Sequence, residues 1–403
     1  MPGLRTRMIA RDTSESHRVS SPLELLFDLT FVVAIAQIAV QLAHSIEEGH
    51  GVEKIGPYLM VFFAIWWAWM NFTWFASAYD TDDVPYRLLT LLQMGGVLVL
   101  AAGVPSAFAG DGYEAVTLGY FIMRLGLVSL WIRAAVQHPA GRTTAIRYAA
   151  GISVVQALWL TRLALPEEWQ TWTFVIFAIL DLSVPLWAER TGSTAWHPHH
   201  IAERYGLFVI ILLGESVLAS TVGVQSSLQA GISVDLVVIA LAGLVLLFAL
   251  WWLYFSEPAG EGLERNRGRS FLWGYGHFGI FAALAAVGSG LEVAVQSTVG
   301  VVEQSGQTAA EAHHAVDAHV VALAVALPVA MFLVLLWLLH APIVNRVVVH
   351  PVAIVIAAAA VLAVTLVADE LGVAASLEVI AGIVVVLLAV TLSGQSRVPA
   401  RRA

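Results

Sequence analysis

Residues 21–41 read SPLELLFDLTFVVAIAQIAVQ, and this stretch decides the class of the protein. It is long enough to cross a bilayer as a helix, since about 20 mostly apolar residues suffice. It nevertheless carries two carboxylates near its start, Glu24 and Asp28. Charged side chains inside a membrane segment are costly, and they mark a pathway, a binding site or a structural ion pair. Both acids therefore need a physical explanation.

The composition of the whole chain agrees with a membrane protein. Of its 403 residues, 59% are hydrophobic and only 12% are charged, whereas soluble domains carry about 25% charged residues. The mean hydropathy is +0.80. We therefore predict an all-α polytopic membrane protein whose main partner is the lipid bilayer. The chain has no cysteine, which excludes disulfides and thiolate chemistry, and its net charge of −9 does not favour a nucleic-acid partner.

Hydropathy predicts about twelve transmembrane helices. The predicted spans are 22–43, 57–79, 86–108, 115–138, 143–165, 170–188, 201–224, 233–256, 270–296, 318–340, 348–369 and 373–393. The first 20 residues lack the apolar core of a signal peptide, so we expect the first helix to direct insertion. The aromatic runs at 66–69 and 251–254 are expected to anchor helices at the membrane interface, and the alternative is a stacking surface for a ligand.

Lysine and arginine predict the orientation. Only Lys54 and Arg162 fall in segments predicted to lie outside, and Arg124 lies within a helix. The remaining members of the 20 Lys and Arg fall in segments that are inside if the N-terminus is inside. Positive charges favour the cytoplasmic side. We therefore expect a multi-pass protein of the bacterial plasma (inner) membrane with both termini in the cytoplasm.

The two halves of the chain resemble each other. FAIWW at 63–67 matches FALWW at 248–252, and the order of the neighbouring spans agrees. This predicts two six-helix repeats in parallel orientation, as in transporters with parallel repeats. The expected organisation is a cytoplasmic tail (1–21), a first repeat (22–188), a cytoplasmic linker (189–200), a second repeat (201–393) and a C-terminal cytoplasmic tail (394–403).

Glu24 and Asp28 are given different roles. The stretch Ser21-Pro22-Leu23-Glu24 has the pattern of a capping box, in which Glu24 folds back onto free backbone donors. Asp28 lies one turn deeper on the same face. The capping role does not extend to Asp28, so it is predicted to make a buried polar or ionic contact.

The seventh span supplies three further candidates. Glu203 and Arg204 lie near its start, and Glu215 lies near its middle. Arg204 and Glu215 are separated by about 16 Å along the helix axis and cannot pair directly. Each is therefore expected to find a partner on another helix or in a wet cavity. Glu215 is the best single candidate for carrying a proton or cation. The first and seventh helices are predicted to face each other across a pseudo-two-fold axis.

Three more polar residues lie within predicted spans. Arg124 is predicted to pair with one of the carboxylates Asp28, Asp181 and Glu215, because an unpaired arginine there is implausible. His277 is interpreted either as a proton relay or as a hydrogen-bonded helix histidine.

Two polar groups contain several histidines, but no catalytic motif is present. His197, His199 and His200 form one group, and Glu311, His313, His314, Asp317 and His319 form the other. Both are interpreted as polar loop ends, not metal sites, and no cofactor is expected. A His-Glu-x-x-His motif, a Walker loop and a Gly-x-Ser-x-Gly elbow are all absent, so an enzyme is not expected.

The motifs SPLELLFDLTFV (21–32), ERYGLFVI (203–210) and LGES (213–216) resemble the bacterial low temperature requirement protein A (LtrA) family. The resemblance covers nearly the whole chain. It implies an integral membrane protein linked to growth in the cold, and it implies no substrate.

Three functions remain open. Twelve spans, a duplication and intramembrane charges favour a secondary transporter or permease for a small solute or ion, coupled to protons or cations. A resemblance to the lysosomal potassium-channel family keeps an ion channel open, although Phe27-Asp28 lacks the serine of that family's Phe-Ser-Asp motif. The third hypothesis is a non-transporting sensor of cold or of membrane state.

Overall fold

The computed structural model describes residues 4–13, 15, 19–230, 233–256, 259–304, 316–343 and 350–396. Within these ranges the protein is helical and has no β-strand. Its α-helices are α1 (Pro22–Glu47), α2 (Ile55–Ala78), α3 (Val84–Ala109), α4 (Glu114–Gln137), α5 (Arg142–Arg162), α6 (Glu167–Ala188), α7 (Pro198–Ala230), α8 (Val234–Phe255), α9 (Ala259–Arg265), α10 (Ser270–Gln304), α11 (Ala318–His340), α12 (Pro351–Val364), α13 (Ala368–Leu371) and α14 (Val373–Ser396). The all-α fold class is therefore confirmed.

Ten helical segments in the described part of the chain are long and apolar enough to cross a membrane. Helices α5 and α7, which match the fifth and seventh predicted spans, are not among the ten. Both carry a concentration of polar groups: α5 begins at Arg142 and ends at Arg162, and α7 carries Glu203 and Arg204 near its start. The predicted number of twelve transmembrane helices is thus not confirmed.

Large apolar side chains lie on the outside of many helices. Leu88 on α3, Phe248 on α8 and Val355 on α12 are each 60% exposed. A water-soluble protein rarely exposes so many large apolar groups together. Their exposure is the arrangement expected where helices face lipid tails, and it agrees with a multi-pass membrane protein.

The helices form two compact units. The first comprises Met1–Ile38 and Gly56–Arg204, and the second comprises Ala39–Ile55 and Tyr205–Ala403. The division therefore runs through α1, which carries Glu24 and Asp28, and through α7, which carries Glu203 and Glu215. The proposed duplication of six helices remains a prediction.

Helix α2 supplies the apolar core of the first unit. Trp66, Trp67 and Trp69 are at most 1% exposed, and Trp67 stacks on Phe63 with ring centroids 6.1 Å apart. The expectation that this run anchors α2 at the membrane interface is therefore wrong. Aromatic side chains mark either an interface or a core, and only packing distinguishes the two.

The second aromatic run has a different environment from the first. Trp251 and Trp252 on α8 are 44% and 49% exposed, so they remain compatible with an interfacial position. The two runs that suggested an internal repeat thus differ in burial. Only their sequence similarity supports the predicted repeat.

Glycines allow α3 and α4 to approach closely within the first unit. A Cβ at Gly119 would lie 2.3 Å from the backbone nitrogen of Leu100 and 2.6 Å from the carbonyl oxygen of Gly96. Neither backbone atom can move independently of its helix. Small residues allow this close approach in membrane helices, where dispersion contacts replace the hydrophobic effect.

The N-terminal segment packs on the first unit and is not a free tail where it is described. The backbone N–H of Thr6 donates to Asp83 Oδ2 at 2.8 Å, and that of Met8 donates to Gln137 Oε1 at 2.7 Å. Met8 is completely buried. Arg11 forms an ion pair with Asp80 at 3.0 Å. These contacts hold the segment over the ends of α2, α3 and α4.

Helix α10 is largely enclosed in the second unit and packs against α11 and α8, while α14 packs against α8, α11 and α12. The Ser289 hydroxyl of α10 donates to the carbonyl oxygen of Ala39 at 2.9 Å, which ties the second half of α1 to this unit. Gly290 faces the backbone of Ala324 on α11, so the two helices also meet at a small residue.

Candidate functional site

The start of α1 is a capping box. The backbone N–H of Ser21 donates to Glu24 Oε2 at 2.8 Å, and that of Glu24 donates to Ser21 Oγ at 3.3 Å. This reciprocal pair satisfies two N–H groups that a helix start would otherwise leave free. The role predicted for Glu24 is confirmed. It is not the only role of this residue, because Glu24 is 1% exposed and also contacts α7.

Arg204 on α7 binds both acids of α1. Its Nε and Nη2 donate to Asp28 Oδ2 and Oδ1 at 2.9 and 2.5 Å, and its Nη1 lies 3.0 Å from Glu24 Oε1. Glu24 and Asp28 are four residues apart and share a helix face, so one guanidinium reaches both. The seventh helix therefore contacts the first at their N-terminal ends, while the pseudo-two-fold relation between them remains a prediction.

Two side chains of α2 complete this cluster. The indole Nε1 of Trp69 donates to Asp28 Oδ1 at 2.7 Å, and the hydroxyl of Thr73 lies 3.3 Å from Arg204 Nη2. Asp28, Arg204, Trp69 and Thr73 are at most 1% exposed. Buried charges are tolerated only when they are paired and hydrogen-bonded. The cluster is well satisfied, which is typical of a structural tie between helices.

His200 and Glu203 join the same region. His200 Nε2 lies 3.0 Å from Glu24 Oε1, and His200 is completely buried. Glu203 Oε1 accepts from the backbone N–H of Ser20 at 3.2 Å. The motifs SPLELLFD and ERYG, far apart in sequence, thus fold onto each other. His200 was assigned to a polar loop end, and that interpretation is wrong because the side chain is buried against Glu24.

Arg124 and Asp181 form a second buried pair in the first unit. Arg124 Nη2 donates to Asp181 Oδ1 and Oδ2 at 3.1 and 3.0 Å, and it also donates to the hydroxyl of Tyr120. Asp181 further accepts from Trp159 Nε1 at 3.2 Å and from the Tyr120 hydroxyl at 3.3 Å. Of the three carboxylates proposed for Arg124, the partner is Asp181. The pair joins α4 to α6.

The second unit holds carboxylates that lack such partners. Glu215 on α7 is 8% exposed, and its Oε2 is buried with no hydrogen-bond partner in the described part of the chain. The Oε2 of Glu292 on α10 is also buried and has no hydrogen-bond partner among the described residues. The two carboxylates lie close enough for their charges to repel, and Glu47 at the end of α1 repels Glu292 in turn. The exposed His44 attracts the negative charges of Glu47 and Glu292.

Gln296 connects two of these acids. One atom of its side-chain amide lies 2.7 Å from Glu47 Oε1, and the other lies 3.3 Å from Glu292 Oε1. Because Glu292 and Gln296 are one helical turn apart, both face α1. Glu47, Gln296, Glu292 and Glu215 form a set that we call the acidic row. Ion pairs with arginine or lysine are absent from this row within the described ranges.

His277 on α10 is a hydrogen-bonded core histidine. Its ring is completely buried, with Nδ1 2.7 Å from the carbonyl oxygen of Trp273 and Nε2 3.2 Å from the Tyr254 hydroxyl. A carbonyl can only accept, so Nδ1 carries the proton and Tyr254 donates to Nε2. Both ring nitrogens have partners. The arrangement favours a hydrogen-bonded helix histidine over a proton relay.

Within the part of the chain that is described, no group of three His, Cys, Asp or Glu is arranged to hold a metal ion. Glu311, His313 and His314 lie outside the described residues. The backbone N–H of His319 donates to Asp369 Oδ1 at 2.9 Å, and its Nδ1 lies 2.7 Å from the carbonyl oxygen of Thr365. His319 therefore ties α11 to the turn before α13.

Comparison with known proteins identifies the family. The sequence model of the bacterial low temperature requirement A protein (LtrA) matches residues 19–390. The chain belongs to the LtrA family. A relative from Rhizobium meliloti (strain 1021), described as an uncharacterized protein, is 27% identical over 308 residues, which cover 72% of this chain and 73% of that protein. No solved structure matches the chain. The LtrA resemblance noted in the sequence is therefore confirmed.

Sequence reasoning missed the acidic row of this LtrA protein apart from Glu215. Glu292 lies within the predicted ninth span, so its position as an ionisable residue in an apolar segment was a signal that could have found it. Glu47 lies just beyond the predicted first span, which ended at 43, whereas α1 continues to Glu47. The link through Gln296 depends on packing between α1 and α10, which the local sequence does not predict.

Proposed function

We propose that this LtrA protein is a proton-coupled secondary transporter of a small solute or ion, and that the acidic row carries the proton. The observation behind this proposal is a set of three neighbouring carboxylates on α1, α7 and α10, none of which forms an ion pair with arginine or lysine within the described ranges. Three like charges cannot all remain ionised in a low-dielectric region, so the row is stable only when it holds at least one proton.

The Gln296 amide supports a shared proton. An amide has one donor atom and one acceptor atom, and here each faces a carboxyl group. The carboxyl group that faces the amide oxygen can form a hydrogen bond only if it is protonated. If both contacts of the amide are hydrogen bonds, one of Glu47 and Glu292 is the acid and the other is the base. Reversal of the amide together with a proton shift exchanges these roles.

The row also has the direction that a proton path needs. Glu47 is the last residue of α1 and is partly exposed, whereas Glu215 lies within α7 and is buried. A proton taken up at Glu47 would pass to Glu292 and then to Glu215. The clusters around Arg204 and Arg124 do not have this character, because their charges are paired and hydrogen-bonded, and we assign them to stability.

A flux assay separates the three functions that the sequence left open. The full chain is reconstituted into liposomes that contain a trapped pH-sensitive dye, and a pH gradient is imposed. Panels of organic acids, amino acids, amines, sugars and alkali salts are then added outside. A proton-coupled transporter moves protons only when its own solute is present, so we expect flux with a subset of the panel.

The other outcomes would overturn the proposal. Proton flux that needs no solute, or a conductance in a planar bilayer, would favour a channel. No flux with any member of a broad panel would favour a sensor that does not transport.

Matched glutamate variants test the assigned residues. Glu215→Gln and Glu292→Gln keep the side-chain size and remove the titrating group, and each is expected to abolish coupled flux. Glu378→Gln is the control, because Glu378 lies in α14 of the same unit and is exposed. Wild-type flux in both Glu215→Gln and Glu292→Gln would remove the acidic row from the mechanism.

We further propose that the protein lies in the bacterial plasma membrane with both termini in the cytoplasm. The arginine bias of the loops supports this orientation. Fusions of a reporter that is active only in the cytoplasm should be active at either terminus and inactive in the loop between α1 and α2 that ends at Lys54.

A further inference from the structure

The first unit contains an aromatic pocket with a buried arginine at its edge. Its lining includes Phe63 of α2, Tyr113 and Tyr120 of the α4 region, Trp159 of α5 and Phe174 of α6, together with Arg162 at the end of α5. The cavity itself is small, about 30 Å³, and it is partly open to the outside. It can enclose only a small group such as a carboxylate or phosphate end, so the rest of a larger ligand would extend through the open side.

Arg162 lacks the partner that its charge requires. The residue is 2% exposed, and its Nη2 is buried without a hydrogen-bond partner in the described structure. Among the described residues no carboxylate forms an ion pair with it, in contrast to Arg124 and Arg204. Burying a cation without a counter-charge is strongly unfavourable. An anion bound beside Nη2 would offset this cost.

The guanidinium is also held in place. Its Nε donates to the carbonyl oxygen of Gln170 at 3.1 Å, and the side chain of Gln170 donates back to the carbonyl oxygens of Arg162 and Leu165, each at 3.0 Å. The guanidinium carbon lies 4.7 Å from the ring centroid of Tyr113 and 5.6 Å from that of Phe174. These contacts stabilise the cation partially and leave Nη2 free to donate.

The remaining rings form an apolar wall. Phe174 packs edge-on against Phe63 and Trp159, with ring centroids 5.8 and 5.1 Å apart. Apolar walls with one well-placed charged group are typical of sites for amphipathic ligands. The wall favours the body of a ligand, and Arg162 favours its charged end, since a guanidinium binds carboxylate and phosphate oxygens in a fixed geometry.

We infer that this pocket binds an anionic group attached to an apolar body, with the anion at Arg162 and the body against the open side of the wall formed by Phe63, Trp159 and Phe174. A free aromatic or aliphatic carboxylic acid and the phosphate of an anionic lipid share this chemistry. The inference concerns binding within the first unit and does not rest on proton coupling through the acidic row.

Binding is tested on the full chain in nanodiscs of phosphatidylcholine, with radiolabelled 3-phenylpropanoate as the probe. We expect saturable binding that the uncharged 3-phenylpropan-1-ol does not displace. Arg162→Gln should weaken binding at least about tenfold, because a hydrogen-bonded charge is lost. Arg147→Gln is the control: Arg147 lies on the same helix, contacts Trp187 and is not part of the pocket.

A second variant guards against misfolding of Arg162→Gln. Ala64 lines the pocket and is not fully buried, so Ala64→Phe fills the space without altering Arg162. It should also abolish probe binding. Nanodiscs that contain phosphatidylglycerol distinguish the two sources of the anion. If lipid occupies the pocket, phosphatidylglycerol should compete with the probe and raise the Tm of wild type but not that of Arg162→Gln.

Two results would overturn the inference. One is that Arg162→Gln and Ala64→Phe both bind the probe as wild type does. The other is that wild type neither binds 3-phenylpropanoate saturably nor gains thermal stability from phosphatidylglycerol. Binding is measured without transport, so failure of the flux assay leaves this inference standing, and failure here leaves the acidic row in place.

Discussion

Arg204 binds Asp28 through two parallel N–H groups, with Nε–Oδ2 and Nη2–Oδ1 distances of 2.9 and 2.5 Å. The pair joins α7 to α1 inside the protein, and the same guanidinium lies 3.0 Å from Glu24. Two carboxylates therefore share one arginine. Substitutions of the three residues should therefore differ in their cost in unfolding free energy. Removal of the arginine leaves two acids, whereas removal of one acid leaves a balanced pair.

We predict that Arg204→Gln costs about 3–5 kcal/mol of unfolding free energy, because it leaves buried carboxylates without this cation. Asp28→Asn should cost less, about 1–3 kcal/mol, since Glu24 still neutralises Arg204. Equilibrium unfolding in mixed micelles measures both. Arg87→Gln is the control, because Arg87 pairs with Asp82 at an exposed position where solvent screens the ion pair. Equal costs for Arg204→Gln and Asp28→Asn would contradict this account of the charges.

Glu24 combines a capping contact with an ion pair, and the two can be measured separately. Ser21→Ala removes only the cap hydroxyl and should cost about 1 kcal/mol. Glu24→Gln keeps the capping geometry, because glutamine also serves at this position, but it loses the charge beside Arg204. It should therefore destabilise the wild type.

In an Arg204→Gln background the effect of Glu24→Gln on the unfolding free energy should have the opposite sign. There Glu24→Gln removes one of two repelling carboxylates and should raise the unfolding free energy. The same mixed-micelle unfolding assay measures this double variant. A loss of stability in both backgrounds would show that Glu24 acts only through the cap.

The capping box and the need for a partner at Asp28 were predictable because both depend on local sequence. Ser21 and Glu24 lie three residues apart, and Asp28 lies one turn further on. The identity of the partner was not predictable, since Arg204 is 176 positions away in the chain. For Arg124 the sequence reduced the choice to three carboxylates, and packing selected Asp181.

Burial of aromatic residues was the weakest inference from sequence. Trp66 and Trp251 lie in nearly identical local motifs, yet the first is 1% exposed and the second is 44% exposed. Local composition cannot separate a core tryptophan from an interfacial one. The same limit applies to Gln296, which became informative only when α10 and α1 placed its amide between two acids.

The close approach of α3 and α4 predicts a strong effect at one glycine. Gly119→Ala would place a Cβ 2.3 Å from the backbone nitrogen of Leu100, so the helices must separate, at a cost of about 1–3 kcal/mol. Gly95→Ala is the matched control on α3, because its Cβ would meet nothing within 4 Å. Removing a helix glycine there should be neutral or slightly stabilising. Thermal unfolding of both variants in detergent checks the prediction, which fails if they behave alike.

Asp83 predicts a dependence of stability on acid pH. It caps α3 through the backbone N–H of Tyr86 at 3.0 Å, accepts from Thr6 and forms an ion pair with Arg133. Burial alone would raise the pKa of Asp83, but the hydrogen bonds from Arg133, Thr6 and Tyr86 and the charge of Arg133 lower it below its ordinary value. The ionised form is thus stabilised in the folded protein.

A carboxyl group whose pKa is lower in the folded protein contributes its full stabilisation above the unfolded pKa, which is about 3.9 for aspartate. The contribution is lost as the pH falls through the folded pKa. Asp83→Asn should therefore cost about 3 kcal/mol at pH 7, and the difference from wild type should shrink only below about pH 4. Unfolding between about pH 3 and 7 measures it. Asp82→Asn, at a half-exposed position, should change stability by about 0.5 kcal/mol or less. A cost of Asp83→Asn that stays constant down to the lowest pH would mean that its charge does not stabilise the fold.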